Sequence, residues 1–147
     1  MRESGFTLIE MLVVMALIGI LSALGITSFH YYQASAAYAS AETTLHNARN
    51  AAEAGTSDPD NLPLGVPLTV QKTQGAVAGI AGDYLPGMMI PKSTSFRVSY
   101  DPACIDNTCT AEFIQVNHCS AREYTSWTRR GDGVEVTLRN ISGAGCP

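Results

Sequence analysis

Apolar positions are concentrated near the start of the chain. No charged residue occurs between Met11 and Phe29, and the run MLVVMALIGILSALGITSF is nineteen residues long. In a helix that rises 1.5 Å per residue, such a run spans about 28 Å, which is close to the hydrocarbon thickness of a bilayer. The pattern therefore predicts a membrane-spanning helix in this segment.

After Gln33 the apolar positions recur at steps of three and four. They are Ala37, Ala41, Leu45, Ala48 and Ala52. A second, polar stripe follows the same spacing and consists of Glu42, His46, Arg49 and Glu53, of which Arg49 and Glu53 are spaced to pair. We predict one continuous helix that ends near Gly55, with an alanine-rich face in its second half that lies against a sheet.

Strand character appears late in the chain, after a connector over residues 55–94 that glycine and proline punctuate and that we expect to be irregular. The predicted strands are residues 96–100, 111–116 and 134–139. The first and third alternate apolar and polar residues, as half-buried antiparallel strands do. The expected fold class is α+β, with a long N-terminal helix packed on a small antiparallel sheet.

All four cysteines lie in the last third of the chain, at Cys104, Cys109, Cys119 and Cys146. An even number in a small exported domain indicates two disulfides and an oxidising compartment. Four cysteines allow three pairings. We favour Cys104–Cys109, which closes a tight turn between the first two strands, and Cys119–Cys146, which ties the C-terminal segment to the sheet. A zinc site that uses His118 has no common ligand spacing in its favour.

Length and charge restrict the remaining options. A chain of 147 residues suits one modest globular domain with an appendage. A net charge of −4 gives no general attraction to nucleic acid or anionic lipid. Nucleophile motifs, phosphate-binding glycine loops and HExxH are not found in the sequence, which predicts no enzyme activity, no cofactor and no metal site.

One segment near the C-terminus has a local excess of arginine with aromatic residues. It contains Arg122, Arg129, Arg130 and Arg139 together with Tyr124 and Trp127. Such a mixture can bind DNA backbones. Acidic residues are interleaved with it, at Glu123, Asp132 and Glu135. A solvated face of mixed charge is the simpler interpretation.

Glu10 is the one charge near the start of the apolar run. A central carboxylate in a membrane helix costs about 2.5–3.5 kcal/mol on insertion scales, so it needs a partner or a function. A secretory signal peptide fits poorly, because the apolar run is too long and no convincing A-x-A site follows it. The preceding residues offer a better explanation.

Residues 5–10, GFTLIE, followed by the apolar run, resemble the prepilin cleavage motif of type IV pilins and type II secretion pseudopilins. The resemblance implies that a membrane peptidase cuts between Gly5 and Phe6 and that Phe6 is then N-methylated. It also implies that Glu10 pairs with the Phe6 amine of a neighbouring subunit and so sets the register of a filament. A buried polar pair is well suited to setting register.

The resemblance further implies a pilin fold with three parts. These are a leader at residues 1–5, the transmembrane and polymerisation half of the helix at 6–33, and a globular head at 34–147 that includes the amphipathic half of the helix. Many relatives have proline where Thr27 stands, which leaves the subclass open between type IVa and type IVb. The Cys119–Cys146 pairing resembles the disulfide-bounded C-terminal loop of many pilins.

The function implied is that of a structural subunit of a type IV pilus, for adhesion, motility or DNA uptake. Its partners would be identical or related pilin subunits, the prepilin peptidase and methylase, and the inner membrane before assembly into the extracellular pilus. DNA or a host surface is a further candidate partner. The alternatives are a type II secretion pseudopilin and an unrelated membrane-anchored periplasmic binding domain. Major pseudopilins commonly have a calcium-binding loop near the C-terminus, and no cluster of acids stands out here.

Overall fold

A computed structural model describes residues 5–57, 65–121 and 123–141 of the chain. By internal contacts the chain divides into two compact units, Met1–Gln33 and Ala34–Pro147. The fold is α+β, with a long helix and a five-stranded antiparallel sheet, as the sequence predicts.

The long helix α1 runs from Leu8 to Thr56. Within the second unit it buries the predicted apolar stripe together with Thr44. The helix ends one residue beyond Gly55, close to the predicted stop. Gly55 has a packing role there, because a Cβ at this position would collide with the backbone carbonyl of Tyr84. Close approach of two backbone segments is a common reason for glycine inside an element.

The sheet has the strand order β1-β4-β5-β6-β7, and every neighbouring pair is antiparallel. Its strands are β1 (Val66–Gln71), β4 (Thr94–Tyr100), β5 (Thr110–His118), β6 (Glu123–Arg130) and β7 (Glu135–Ile141). A short helix α2 (Ile80–Tyr84) and a two-stranded pair, β2 (Gly75–Ala76) with β3 (Met89–Ile90), lie between β1 and β4 in the chain.

The three predicted strands are confirmed as β4, β5 and β7. The expected irregular connector over residues 55–94 is wrong over its described part, which contains β1, β2, α2 and β3. Pro67 and a register shift between Val66 and Thr69 interrupt the alternation of β1, so its pattern is weak. The strand β6 was also missed, since its sequence EYTSWTRR has the polar composition of a surface segment.

The core of the second unit lies between α1, α2 and one face of the sheet. Its largest fully buried side chains include Tyr84, Phe96, Val98, Ile114 and Val116. Trp127 from β6 joins the same cluster. In β4 the apolar residues Phe96 and Val98 face this core and Arg97 is exposed, so the predicted alternation of the first strand is confirmed.

The strand β7 has the opposite orientation to the one that its alternation suggests. Val136 and Leu138 are 39% and 49% exposed, whereas Glu135 contacts Trp127 and Arg49 on the core side. The pairing of β7 with β6 places Glu135 opposite Arg129, and directly opposed residues share a face. The apolar residues of β7 are therefore on the outer face of the sheet.

The expected Arg49–Glu53 pair within the helix is also replaced by a tertiary contact. Arg49 Nη2 lies 2.7 Å from Glu135 Oε2, and its guanidinium carbon is 4.9 Å from the centre of the Trp127 ring. A planar cation that can stack on an indole and bond a carboxylate at once gains more here than in an exposed i, i+4 pair.

Candidate functional site

The residues of the expected processing motif precede and open α1. Gly5 and Phe6 are exposed and lie before the first helical residue, Leu8. The Phe6 side chain is 74% exposed. A Cβ added at Gly5 would have no atom of the described chain within 4 Å, apart from its neighbours in sequence. The protein itself thus leaves the Gly5–Phe6 peptide bond open to an external protease.

Thr7 and Glu10 form a capping box at the start of α1. The Glu10 amide donates a hydrogen bond of 3.3 Å to Thr7 Oγ1. The Thr7 amide and hydroxyl donate to Glu10 Oε2 over 3.2 and 3.0 Å. A threonine at the N-cap with glutamate three residues later satisfies helix N–H groups that have no partner inside the helix. Sequence reasoning missed this role, although the T-x-x-E spacing is its signature.

The apolar part of α1 that follows Glu10 is exposed throughout. Its large side chains from Met11 to Phe29 are between 44% and 72% exposed. By length and composition, α1 is the one helix of the described chain that could cross a membrane. An exposed apolar surface of this extent needs a nonaqueous environment or a partner.

Thr27 stands at the position where many members of the resembled family have proline, and the helix continues through it. Its hydroxyl donates to the Leu24 carbonyl over 2.9 Å, and the Ser28 hydroxyl donates to the same oxygen over 3.4 Å. Such bonds from Ser and Thr to the preceding turn often bend helices slightly without breaking them.

The arginine-rich segment does not assemble into a basic patch in the part of the chain that the structure describes. Each of its three described arginines pairs with an acid: Arg129 with Glu112, Arg130 with Asp132 and Arg139 with Glu123. Trp127 is 2% exposed and so cannot stack on a base. Arg122 lies outside the described residues. The mixed-charge interpretation fits this geometry, and binding to DNA or a host surface has no support from it.

A row of side chains, one from each strand, crosses the core face near the end of α1. In register these are Val66, Tyr100, Glu112, Arg129 and Glu135. Glu112 is 2% exposed, and its carboxylate forms an ion pair with the Arg129 guanidinium. Burial raises the pKa of the Glu112 carboxyl, and Arg129 partly counteracts this. The signal in the strand pattern is that Glu112 alternates in step with the buried Ile114 and Val116, whereas its partner Arg129 comes from another strand.

Two tyrosines complete this buried charged row. The Tyr84 and Tyr100 rings are stacked, with centroids 4.8 Å apart and planes 7° apart. Burial, followed by the nearby Glu112 charge, raises the pKa of Tyr84 and also that of Tyr100. The Tyr84 hydroxyl is buried and has no hydrogen-bond partner of good geometry among the described residues, although the Glu112 charge is close enough to raise its pKa. Because Arg129 pairs with Glu112 and Arg49 pairs with Glu135, the row is a charge-balanced structural element that is buried at Glu112 and partly exposed at Glu135.

The predicted Cys104–Cys109 disulfide is present and closes the loop between β4 and β5. Cys119 is disulfide-bonded as well, so no described cysteine is a free thiol. Cys146 lies outside the described residues, and the Cys119–Cys146 pairing stays a prediction. In the described ranges no three metal-binding side chains come together. Burial lowers the pKa of His118, whose Nδ1 accepts a hydrogen bond from the Ser120 amide.

The disulfide-closed loop packs on the turn between β6 and β7. A Cβ at Gly131 would lie 2.7 Å from the backbone carbonyl carbon of Cys104 and 2.7 Å from the backbone carbonyl oxygen of Asp106. Asp106 accepts hydrogen bonds from the Thr108 amide and hydroxyl, and these bonds lower its pKa. The disulfide, the Asp106 bonds and the packing on the turn hold the loop in place, and Ile105 is exposed at its surface.

Comparison with known proteins gives one positive result. The prokaryotic N-terminal methylation motif matches residues 1–26. No curated protein and no solved structure matches the chain. The match covers Gly5, Phe6 and Glu10 and includes most of the exposed apolar run. This chain therefore carries the N-terminal signature of the prepilin-type substrates, the type IV pilins and pseudopilins.

Proposed function

We propose that this protein is a structural subunit of a type IV pilus. Its N-terminal helix inserts in the inner membrane, the prepilin peptidase cuts between Gly5 and Phe6, and the new N-terminus is methylated. The subunit then polymerises through the same helix into an extracellular filament. The observation that carries the proposal is the methylation motif at residues 1–26, at the start of a helix whose large apolar side chains from Met11 to Phe29 are exposed.

The physical argument links processing to assembly. Cleavage creates an amine on Phe6, one residue from the capping box that holds Glu10 at the helix start. Amine and carboxylate are each costly to desolvate, and pairing them across two subunits relieves part of that cost. Glu10 and the Phe6 amine then specify the axial register between neighbouring helices.

A type II secretion pseudopilin would carry the same motif and is the second candidate. The Cys104–Cys109 disulfide supports the pilus, since disulfides are typical of pilin heads and a calcium-binding loop is typical of the major pseudopilin. Acidic side chains do not converge into a cation site in the described ranges.

Imaging of sheared surface filaments, with this polypeptide identified in them by immunogold labelling, tests the proposal. Mass spectrometry of the same filaments should find an N-terminus at methylated Phe6. Gly5→Leu should leave the leader uncut and abolish the filaments, with Ser4→Ala as the processed control. Intact Met1 in cells with an active prepilin peptidase would contradict the processing step. If cells form no surface filaments of this protein, and Gly5→Leu instead stops the secretion of exoproteins, the protein is a pseudopilin.

A further inference from the structure

Two apolar surfaces of the second unit have no partner within the described chain. The first is the β7 ridge, formed by Val134 just before the edge strand and by Val136 and Leu138 on its outer face. All three side chains are between 39% and 49% exposed. The second is the α1 groove, a depression of about 440 Å³ between the helix and the segment that follows α2. Residues that line the groove include Asn47, Ala51, Ala54, Pro86, Met88 and Met89.

The ridge and the groove lie on opposite flanks of α1. Arg49 is directed at β7, where it meets Glu135. Asn47 and Ala51 are each two residues from Arg49, and two residues on an α-helix are separated by about 200°. The groove therefore opens on the side of α1 that faces away from β7. Copies that place ridge into groove would repeat in one direction, because a contact between two different surfaces of one chain propagates instead of closing.

The two edges of the sheet are not equivalent. The β1 edge contains Pro67 and a register shift between Val66 and Thr69, both of which discourage further pairing. The β7 edge pairs with β6 in unbroken register from Glu123 to Arg129, and its residues Glu135–Ile141 include no proline. Within the described residues, the edge that lacks a proline and a register shift thus coincides with the apolar ridge.

Charge allows an identical partner on this flank, because the charged residues of β7 and of the turn before it are paired within one chain. Arg130–Asp132 lies at that turn, whereas Arg49–Glu135 and Arg139–Glu123 lie on the core side of β7, away from the ridge. The flank therefore presents no net charge from these residues to a partner. Two identical copies can approach without like-charge repulsion, whereas a strongly acidic or basic partner gains no attraction.

We infer that the β7 ridge of one subunit docks in the α1 groove of the next copy of the same chain. A ridge of three side chains buries far less than the roughly 1,200 Å² of a stable free complex. It therefore forms only when another interaction holds the subunits together, and the polymerised N-terminal helix supplies that effective concentration. The inference rests on the proposed polymerisation and adds the contact that orients neighbouring heads.

Cysteine cross-linking in intact filaments tests this contact. The full-length double variant Leu138→Cys with Met89→Cys should give a ladder of covalent multimers after mild oxidation, whereas each single variant should not. Leu138→Cys with Leu68→Cys is the matched control, since Leu68 is 62% exposed and Met89 is 61% exposed, and Leu68 lies on the blunted β1 edge. Filaments that give no ladder with Met89→Cys, or an equal ladder with Leu68→Cys, would overturn the contact and leave polymerisation standing.

A charge-pair rescue provides an independent measurement. Leu138→Lys and Met89→Glu should each reduce filament number about tenfold, because the contact would bury an unpaired charge. The double variant should recover most of the filaments. Singles that match the parent chain, or a double variant no better than its singles, would contradict the ridge-and-groove contact. Absence of filaments from the unaltered chain would instead overturn the proposed function together with this inference.

Discussion

Thr7 and Glu10 bind each other reciprocally at the first turn of α1, by three hydrogen bonds of 3.0 to 3.3 Å. Both bonds that the carboxylate accepts go to Oε2. The other oxygen, Oε1, has no hydrogen bond to a described residue. The capping box thus holds Glu10 in one orientation, and the proposed pairing with a neighbouring Phe6 amine would use Oε1.

Replacing Glu10 by valine should leave membrane insertion intact or improve it, because the cost of desolvating a carboxylate disappears. Surface filaments should become scarce while the subunit accumulates in the inner membrane. Glu10→Asp retains the charge with a shorter reach and should give an intermediate filament number. Immunogold counting against membrane immunoblots measures both effects. Filament numbers unchanged by Glu10→Val would remove the register-setting role of this carboxylate.

Thr7 should act as a positioning residue for Glu10. Thr7→Val removes the hydroxyl that accepts the Glu10 amide bond, a loss of about 1 kcal/mol for a typical N-cap. We expect normal cleavage after Gly5 but fewer filaments, whereas Thr7→Ser should retain both. N-terminal mass spectrometry and filament counting separate the two steps. An equal defect in Thr7→Ser and Thr7→Val would show that the hydroxyl is not the relevant group.

The Cys119–Cys146 disulfide is expected in the exported protein beside Cys104–Cys109, which the structure contains. Non-reducing peptide mapping of full-length protein from the membrane fraction checks both pairings. Removing Cys146 should destabilise the head by roughly 3 kcal/mol if the long loop is closed, on the chain-entropy model. A peptide that joins Cys119 to Cys104 or Cys109 would refute the pairing.

Glu135 should stabilise the contact between α1 and the edge strand. Its Oε2 accepts from Trp127 Nε1 at 3.3 Å and pairs with Arg49 at 2.7 Å. Because both charged side chains are about a third exposed, we expect Glu135→Ala to lower the free energy of unfolding by only about 1 kcal/mol. Trp127 is the single tryptophan, so its fluorescence during urea unfolding in detergent reports this region. Thr137→Ala is the neighbouring control, and a loss from it as large as that from Glu135→Ala would contradict a specific role.

The stability of the head should depend on the ionisation of Glu112. Burial raises its pKa above the usual value of 4.5, so the folded state binds the proton more tightly than the unfolded state does. This contribution to the free energy of unfolding is fully present below pH 4.5 and is lost as the pH rises through the folded pKa. Glu112→Gln should flatten that slope. Chemical denaturation of both proteins between pH 4 and 7 measures this slope. If the free energy of unfolding depends on pH equally in the two proteins, Glu112 is not the group responsible.

Much of this protein could be read from local sequence alone. The processing motif is a contiguous run at residues 5–10. The extent of α1 follows from the apolar run and from the steps of three and four after it, which are visible over one or two helical turns. The Cys104–Cys109 loop is similarly local, since a separation of five residues leaves little choice of geometry between two adjacent strands. These features depend on neighbours in the chain, which is why the pattern was sufficient for them.

Features that depend on distant partners were decided only by the tertiary structure. The alternation of β7 was correct, but its pairing with β6 turned Val136 and Leu138 outward and brought Glu135 to Arg49. A strand has two faces of equal period, so the neighbouring strand and the helix above it determine which face is buried. Glu112 shares the face of Ile114 and Val116 by local alternation, but its partner Arg129 is set by strand register, which no local pattern contains.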